Sequence, residues 1–191
     1  MTRHDFQTQL ADLDLSARPA EAPFRERMLH LLETSPDCFH RHCFPAHFTA
    51  SALIVSADGS RALLNFHRKL QCWLHFGGHC DGEEDLVRVA QREALEESGI
   101  PGLIVASTRP FDLDIHPIPT HGSEPEHLHY DVNFVLISPE GAREVISEES
   151  TELRWFSPEE MLTLPLRDSM RRVALKWQAL RDRRAHRPHQ A

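Results

Sequence analysis

Between residues 83 and 98 a helical stripe changes character halfway along, and no other segment constrains the chain as much. Two turns of α-helix take about 7.2 residues, so positions seven apart face almost the same way. Leu86 and Glu93 are seven apart, as are Val89 and Glu96, and Ala90 and Glu97. An ordinary surface helix sets its acids opposite the apolar stripe. Here the carboxylates continue that stripe, toward whatever the helix packs against. Carboxylates crowded into one turn repel each other, and burial adds a desolvation cost unless something compensates. The negative end of the helix dipole adds to the demand. A divalent cation meets it, and oxygen-only ligands suit Mg²⁺. The plainer alternative is a solvated helix end paired with Arg88 and Arg92, and these residues alone leave it open.

The rest of the chain gives this helix a setting. The 191 residues are 40% apolar and 26% charged, as in an ordinary folded domain with a sizeable core. Residues 1–45 are expected to form a helical N-terminal extension, with Pro23 in a first helical turn and Phe24, Met28, Leu31 and Leu32 at helical spacing. The expected division continues with a main domain at 46–185 and a tail at 186–191. Phe48–Ser56 and Arg61–Phe66 flank Asp58-Gly59 and predict a β-hairpin. A short strand at Trp73–Phe76 runs into Gly77-Gly78. The helix is predicted over Glu83–Ser98, closed by Gly99. Further strands are expected at Ile104–Ala106, His129–Ser138 and Leu153–Phe156, with helices after Ser157 and from Asp168 to about Arg183. His116–His127 is expected as a loop. Strands and helices intersperse without a regular βαβ rhythm, which predicts an α/β fold of the mixed-sheet (α+β) kind packed between helices.

Residues 78–100, GHCDGEEDLVRVAQREALEESGI, resemble the Nudix box at every constrained position. Gly78 is followed after five residues by Glu84, and after seven more by Arg92-Glu93. Ala94 takes the aliphatic position, Glu96-Glu97 follow, and Gly99-Ile100 close the motif. The resemblance to the Nudix (MutT-like) hydrolases implies an αβα sandwich from about 47 to 165, here with the N-terminal extension and a C-terminal helix. It implies a pyrophosphohydrolase using Mg²⁺, with Mn²⁺ as the alternative. Glu96 and Glu97 would then bind metal, Glu93 would be a ligand or the base, and Arg92 would orient them. Glu84 would contribute from the opening turn and the Gly77 carbonyl would complete a metal shell. The implied substrate is a nucleoside diphosphate linked to another moiety, or a similar small metabolite, attacked at phosphorus by water.

Outside the box, Glu149, beside Glu148 and Glu152, is nominated as a further metal ligand. His116, His121, His127 and His129 crowd one segment; His116, His127, His129 and Tyr130 are nominated as substrate contacts, with His67 and Lys69 as phosphate contacts. Tyr130 and His129 adjoin on a strand, so one must face inward and the other outward. Cys38, Cys43, Cys72 and Cys80 are expected as reduced thiols. The CFHRHCFPAH segment, with His40, His42 and His47, is read as packing and surface histidines, because a second metal-binding pair is absent.

The formal charge of −8 argues against a general nucleic-acid partner, and no apolar run is long enough to span a bilayer. Without an apolar leader, the expected location is cytoplasmic. The residue 1–45 extension is the expected surface for a homodimer. Two other functions compete: an isomerase of isoprenoid diphosphates, for which Cys72 and Cys80 flank the glycine turn, and a ligand-binding protein with the same fold but no hydrolysis.

Overall fold

The computed structural model describes residues 1–122 and 124–185; the tail expected at 186–191 lies outside them. By backbone proximity the chain divides into two compact units. The first takes Met1–Ala52, Gly77–Glu93 and Val105–Phe134, and the second takes Leu53–Phe76, Ala94–Ile104 and the chain from Val135 onward.

The first unit opens with α1 (Arg3–Ala11) and α2 (Ala22–Thr34). Thr2 and Asp5 form a reciprocal capping box at the start of α1, satisfying backbone donors that would otherwise lack partners. Pro23 stands in the first turn of α2, where its missing N–H costs nothing. Both helices bury apolar side chains: Phe6, Leu10, Met28 and Leu32 are covered, and Phe6 meets Phe48 edge to face with ring centroids 5.5 Å apart. Glu21, also buried, pairs with Arg18 at 3.5 Å and accepts a hydrogen bond from the Leu113 amide at 3.1 Å.

Two strands and the first parts of two others build the sheet of this unit. They are the first part of β1 (Ala46–Val55), β4 (Phe76–His79), β6 (Asp112–Ile118) and the first part of β7 (His127–Ile137). β4 pairs with β1, and β6 lies antiparallel to β7 with His116 opposite His129 and Asp114 opposite Asp131. The loop expected at His116–His127 is therefore shorter. His116 and Pro117 belong to β6, whose outer edge tolerates a proline.

The second unit is organised on β2 (Ala62–His67). Along one edge Ala62 and Leu63 pair with the end of β1, and Asn65–His67 pair with β3 (Cys72–Leu74); along the other edge runs β8 (Ser150–Phe156). The expected hairpin is present. Its turn is held by Asp58, which accepts from the Ser56 and Ser60 hydroxyls and the Ser60 amide, while Gly59 takes the left-handed conformation (φ 71°). α4 (Pro158–Thr163), capped by a Ser157–Glu160 box, and α5 (Asp168–Ala185) follow β8.

α3 (Leu86–Ser98) and β5 (Ile104–Val105) complete the elements. The helix starts three residues later than the acidic run suggests. Asp85 is the reason: its Oδ1 accepts from the Val87 and Arg88 amides, so it acts as the N-cap. Glu83 and Glu84 consequently lie in the approach, and the Glu84 carboxylate accepts from the Arg3 amide at 3.0 Å. Gly99 (φ 67°) ends the helix as expected.

Candidate functional site

In the first unit the strand alternation sorts side chains onto two faces. Phe48 on β1 and Tyr130 on β7 turn to the core, where their rings meet at 6.0 Å. His47, Thr49 and Ser51 turn the other way. They face the alternate residues of β7: Thr49 donates to Asp131 Oδ1 (2.9 Å), Ser51 donates to Asp131 Oδ2 (2.5 Å), and Asn133 donates to the Ser51 hydroxyl (3.0 Å). Residues directly opposite in antiparallel strands share a face, so Asp112, Asp114 and His116 of β6 extend it. His116 Nδ1 lies 2.9 Å from Asp114 Oδ2.

Histidines occupy one end of that face. The His47, His127 and His129 rings lie within 4.9–5.1 Å of one another, centroid to centroid, and His79 of β4 stands 5.2 Å from His47 and 4.9 Å from His129. Burial pushes the His47 imidazole down to about 4 and His129 to about 2, with the neighbouring histidines adding to the effect. These rings are neutral at physiological pH. Expecting His47 to be an ordinary surface or packing histidine missed this assembly. The signal was in the alternation, His47-x-Thr49-x-Ser51 and His127-x-His129-x-Asp131-x-Asn133, but their meeting depends on strands far apart in sequence.

On α3, Glu93 is largely buried, with its side chain 16% exposed. It lies directly over Gly78, where a Cβ would stand 2.5 Å from Glu93 Oε2. Gly77 is equally confined: a Cβ there would meet the Ser51 Cβ at 2.5 Å and the Ala50 carbonyl oxygen at 2.7 Å. Gly77 is therefore needed for close approach to the β1 backbone, whereas a side chain at position 78 would displace the Glu93 carboxylate. Arg92 donates to the His79 carbonyl (2.6 Å) and to Glu93 Oε1 (2.7 Å), tying the helix to the strand that precedes it.

In the second unit Glu97 follows one turn later, only 8% exposed, with the Asn65 amide 3.5 Å from its Oε2 and donating also to the His75 carbonyl at 3.2 Å. Glu96 is exposed. The acidic continuation of the apolar stripe thus holds for Glu93 and Glu97, whereas Glu96 shares a direction with buried Val89 but is not covered.

The remaining nominated residues separate. Glu149 is exposed, and its backbone carbonyl accepts from the Arg68 amide; the Arg68 guanidinium also donates to the Glu148 and Ser150 carbonyls, pinning this loop to the end of β2. His67 Nδ1 accepts from the Lys69 and Leu70 amides, both at 3.2 Å, and Lys69 is exposed. Burial lowers the His67 imidazole, and the Glu149 charge opposes this. Tyr130 is the inward member of its pair, packed on Phe48 with the Arg27 guanidinium 5.4 Å from its ring centre. All four cysteines are free. Cys80 is buried and donates to the Phe48 carbonyl at 3.2 Å, and burial raises its thiol strongly. Burial pushes Cys38 up to about 11. No helix among the described residues is long and apolar enough to cross a membrane.

Gly78, Arg92, Glu93 and Glu97 all lie in the segment that resembles the Nudix box. Known proteins agree: residues 45–177 match the NUDIX domain model, and the chain belongs to the Nudix family. It is similar to a Nudix hydrolase from M. smegmatis, RenU, at 25% identity and a TM-score of 0.53, covering 76% of this chain and 89% of that one. A NUDIX-family hydrolase from Clostridium perfringens matches at 21% identity and a TM-score of 0.52, covering 70% of this chain and 97% of that one. The E. coli dihydroneopterin triphosphate pyrophosphohydrolase matches at 19% identity and a TM-score of 0.52, covering 66% of this chain and 91% of that one. At these lower identities the likeness concerns the fold.

Proposed function

We propose that the chain hydrolyses a diphosphate linkage in a nucleoside diphosphate linked to another moiety, or in a similar small metabolite, using Mg²⁺ or Mn²⁺ held by the glutamates of α3. The supporting observation is the buried Glu97 carboxylate one turn beyond the half-buried Glu93, at the end of the helix where the dipole disfavours negative charge. Every nominated donor is oxygen, which suits a hard cation such as Mg²⁺ rather than a thiophilic metal. The residues fit the ion.

Glu96 and Glu97 would hold the metal, with the Gly77 carbonyl and Glu149 as the further ligands that the family resemblance nominates. Bound there, a divalent cation would polarise the phosphoryl oxygens and acidify water. Glu93 is the residue to receive a proton from the attacking water. Arg92 holds its Oε1, which fixes the carboxylate in place. Arg92 positions rather than reacts: its guanidinium fixes Glu93 against the end of β4. His67, Lys69 and His116 are retained as the polar groups to meet substrate phosphates. Tyr130 is committed to packing.

Of the two cysteines offered for isomerisation, Cys80 is buried and bound to a carbonyl, which disfavours it, while Cys72 is half-buried. The test is a panel of diphosphate compounds incubated with the protein and Mg²⁺ in water enriched in heavy oxygen. The expected result is cleavage with heavy oxygen in a phosphate product. Rearrangement of an isoprenoid diphosphate without release of any phosphate would overturn the proposal.

A further inference from the structure

We infer that His47, His127 and His129 form a second metal site, using none of the α3 glutamates, that takes Zn²⁺ or a similar first-row transition ion through three imidazole nitrogens. One ring nitrogen of each lies within 4.8 Å of one from each of the others. His47 is 1% exposed and His127 4% exposed. The Nε2 atoms of all three are buried without a hydrogen-bond partner. An unsatisfied buried polar atom ordinarily costs about 1–3 kcal/mol, and three of them on rings clustered this closely need a common explanation.

The other ring nitrogens show what the Nε2 atoms are. His47 Nδ1 lies 3.3 Å from the Cys43 carbonyl oxygen and His127 Nδ1 lies 2.8 Å from the Pro125 carbonyl oxygen. A carbonyl only accepts, so Nδ1 of His47 and of His127 each carries a hydrogen, which leaves Nε2 as the nitrogen open to a metal. This is the arrangement by which outer partners fix metal-binding histidines in the ligating tautomer. Ring nitrogens grouped within 4.8 Å of one another attract a cation once their lone pairs are free.

The strands supply the rigidity. His47 comes from β1, and His127 and His129 are alternate residues of β7 on the same face, so the rings are placed by two paired strands. Zn²⁺ binds imidazole nitrogen at about 2.0–2.1 Å, which small side-chain rotations reach from the observed spacing. Imidazole ligands select zinc, copper, iron or nickel over Mg²⁺. Three protein ligands leave a fourth tetrahedral position for water or an oxygen of a bound molecule, the pattern of an open rather than a closed zinc site. His79 forms the adjoining wall, and Asp131 is the next residue along the same face.

The experiment uses the full chain, stripped with a chelator, reloaded with Zn²⁺ and passed through a desalting column before metal analysis. About one zinc per chain is expected for wild type and for Glu97→Gln. His47→Asn and His129→Ala should weaken binding by on the order of 100-fold or more, at or above what loss of an outer partner costs. If these variants do not fold, the wild-type protein still decides the matter. On adding Zn²⁺ the imidazole ¹⁵N signals of three Nε2 atoms should leave the range of an unbound lone pair, and Co²⁺ should give the visible bands of a tetrahedral site. A wild-type chain that retains no zinc and shows no ¹⁵N shift would overturn the inference, leaving buried waters to satisfy these atoms. Zinc lost in Glu97→Gln but kept in the histidine variants would overturn it too, by placing the ion on the glutamates.

Discussion

Glu93 lies against Gly78 so closely that a methyl group on the glycine would stand 2.5 Å from the Glu93 Oε2 atom. The glycine before the helix and the glutamate within it are thus one device, although fifteen residues separate them in sequence. Gly78→Ala should displace the carboxylate while leaving the fold in place. A misplacement of about 1 Å can cost on the order of 100-fold in rate, so kcat should fall by roughly 10- to 100-fold with little change in melting temperature. Unchanged turnover would show that the Glu93 position is immaterial.

Arg92→Lys tests the anchor. The guanidinium reaches both the His79 carbonyl and Glu93 Oε1, and a lysine ammonium cannot reproduce that fork. Since Arg92 is partly exposed, stability should drop by only about 1 kcal/mol, whereas turnover should drop more steeply. Parallel urea titrations and initial rates separate the two effects.

Glu21→Ala tests how firmly the N-terminal helices are joined to β6. The substitution leaves the buried Leu113 amide without its acceptor and Arg18 without its carboxylate. A loss on the order of 2–3 kcal/mol is expected, because the hydrogen bond is buried and charge-assisted. Chemical denaturation reads it, and a change below about 0.5 kcal/mol would mean that the helices are only loosely attached.

The hairpin turn predicts an acid-side effect. Hydrogen bonds from Ser56 and Ser60 hold the Asp58 carboxyl at about 2, below its ordinary value of 3.8. A lowered acid pKa contributes stability above the unfolded value, and this is lost as pH falls through the folded one. The melting-temperature gap between wild type and Asp58→Ala should therefore be full above about pH 4 and close between about pH 3.8 and 2. Asp58 is exposed, so the gap should be only a few degrees, as about 1 kcal/mol gives in a chain of this size. A gap independent of pH would contradict the assignment.

The helix and its glutamates were legible because their relations are local. A seven-residue spacing says which way Glu93 and Glu97 face, and the Nudix box lies within one loop and one helix. The hairpin was legible for the same reason, from Asp58-Gly59. Glu96 shows the limit of this reasoning: spacing gives direction around the axis, and exposure depends on what covers that end. The histidine cluster was not legible. Its members come from strands whose pairing joins Thr49 to Asp131 across 82 positions, and no local pattern specifies that partner. Strand alternation sets Tyr130 and His129 facing opposite ways, but only the packing of Phe48 shows which one is inside.

If the α3 glutamates hold the metal used in diphosphate hydrolysis, Glu97 cannot be neutralised without cost to the reaction. The most direct test measures Mg²⁺-dependent hydrolysis by wild type and Glu97→Gln on one cleaved substrate, across a Mg²⁺ titration. Loss of a group acting at the reacting phosphate predicts a fall of at least about 100-fold in kcat, with Mg²⁺ required at higher concentration and the melting temperature preserved. Equal turnover at equal Mg²⁺ in the two proteins would contradict the account.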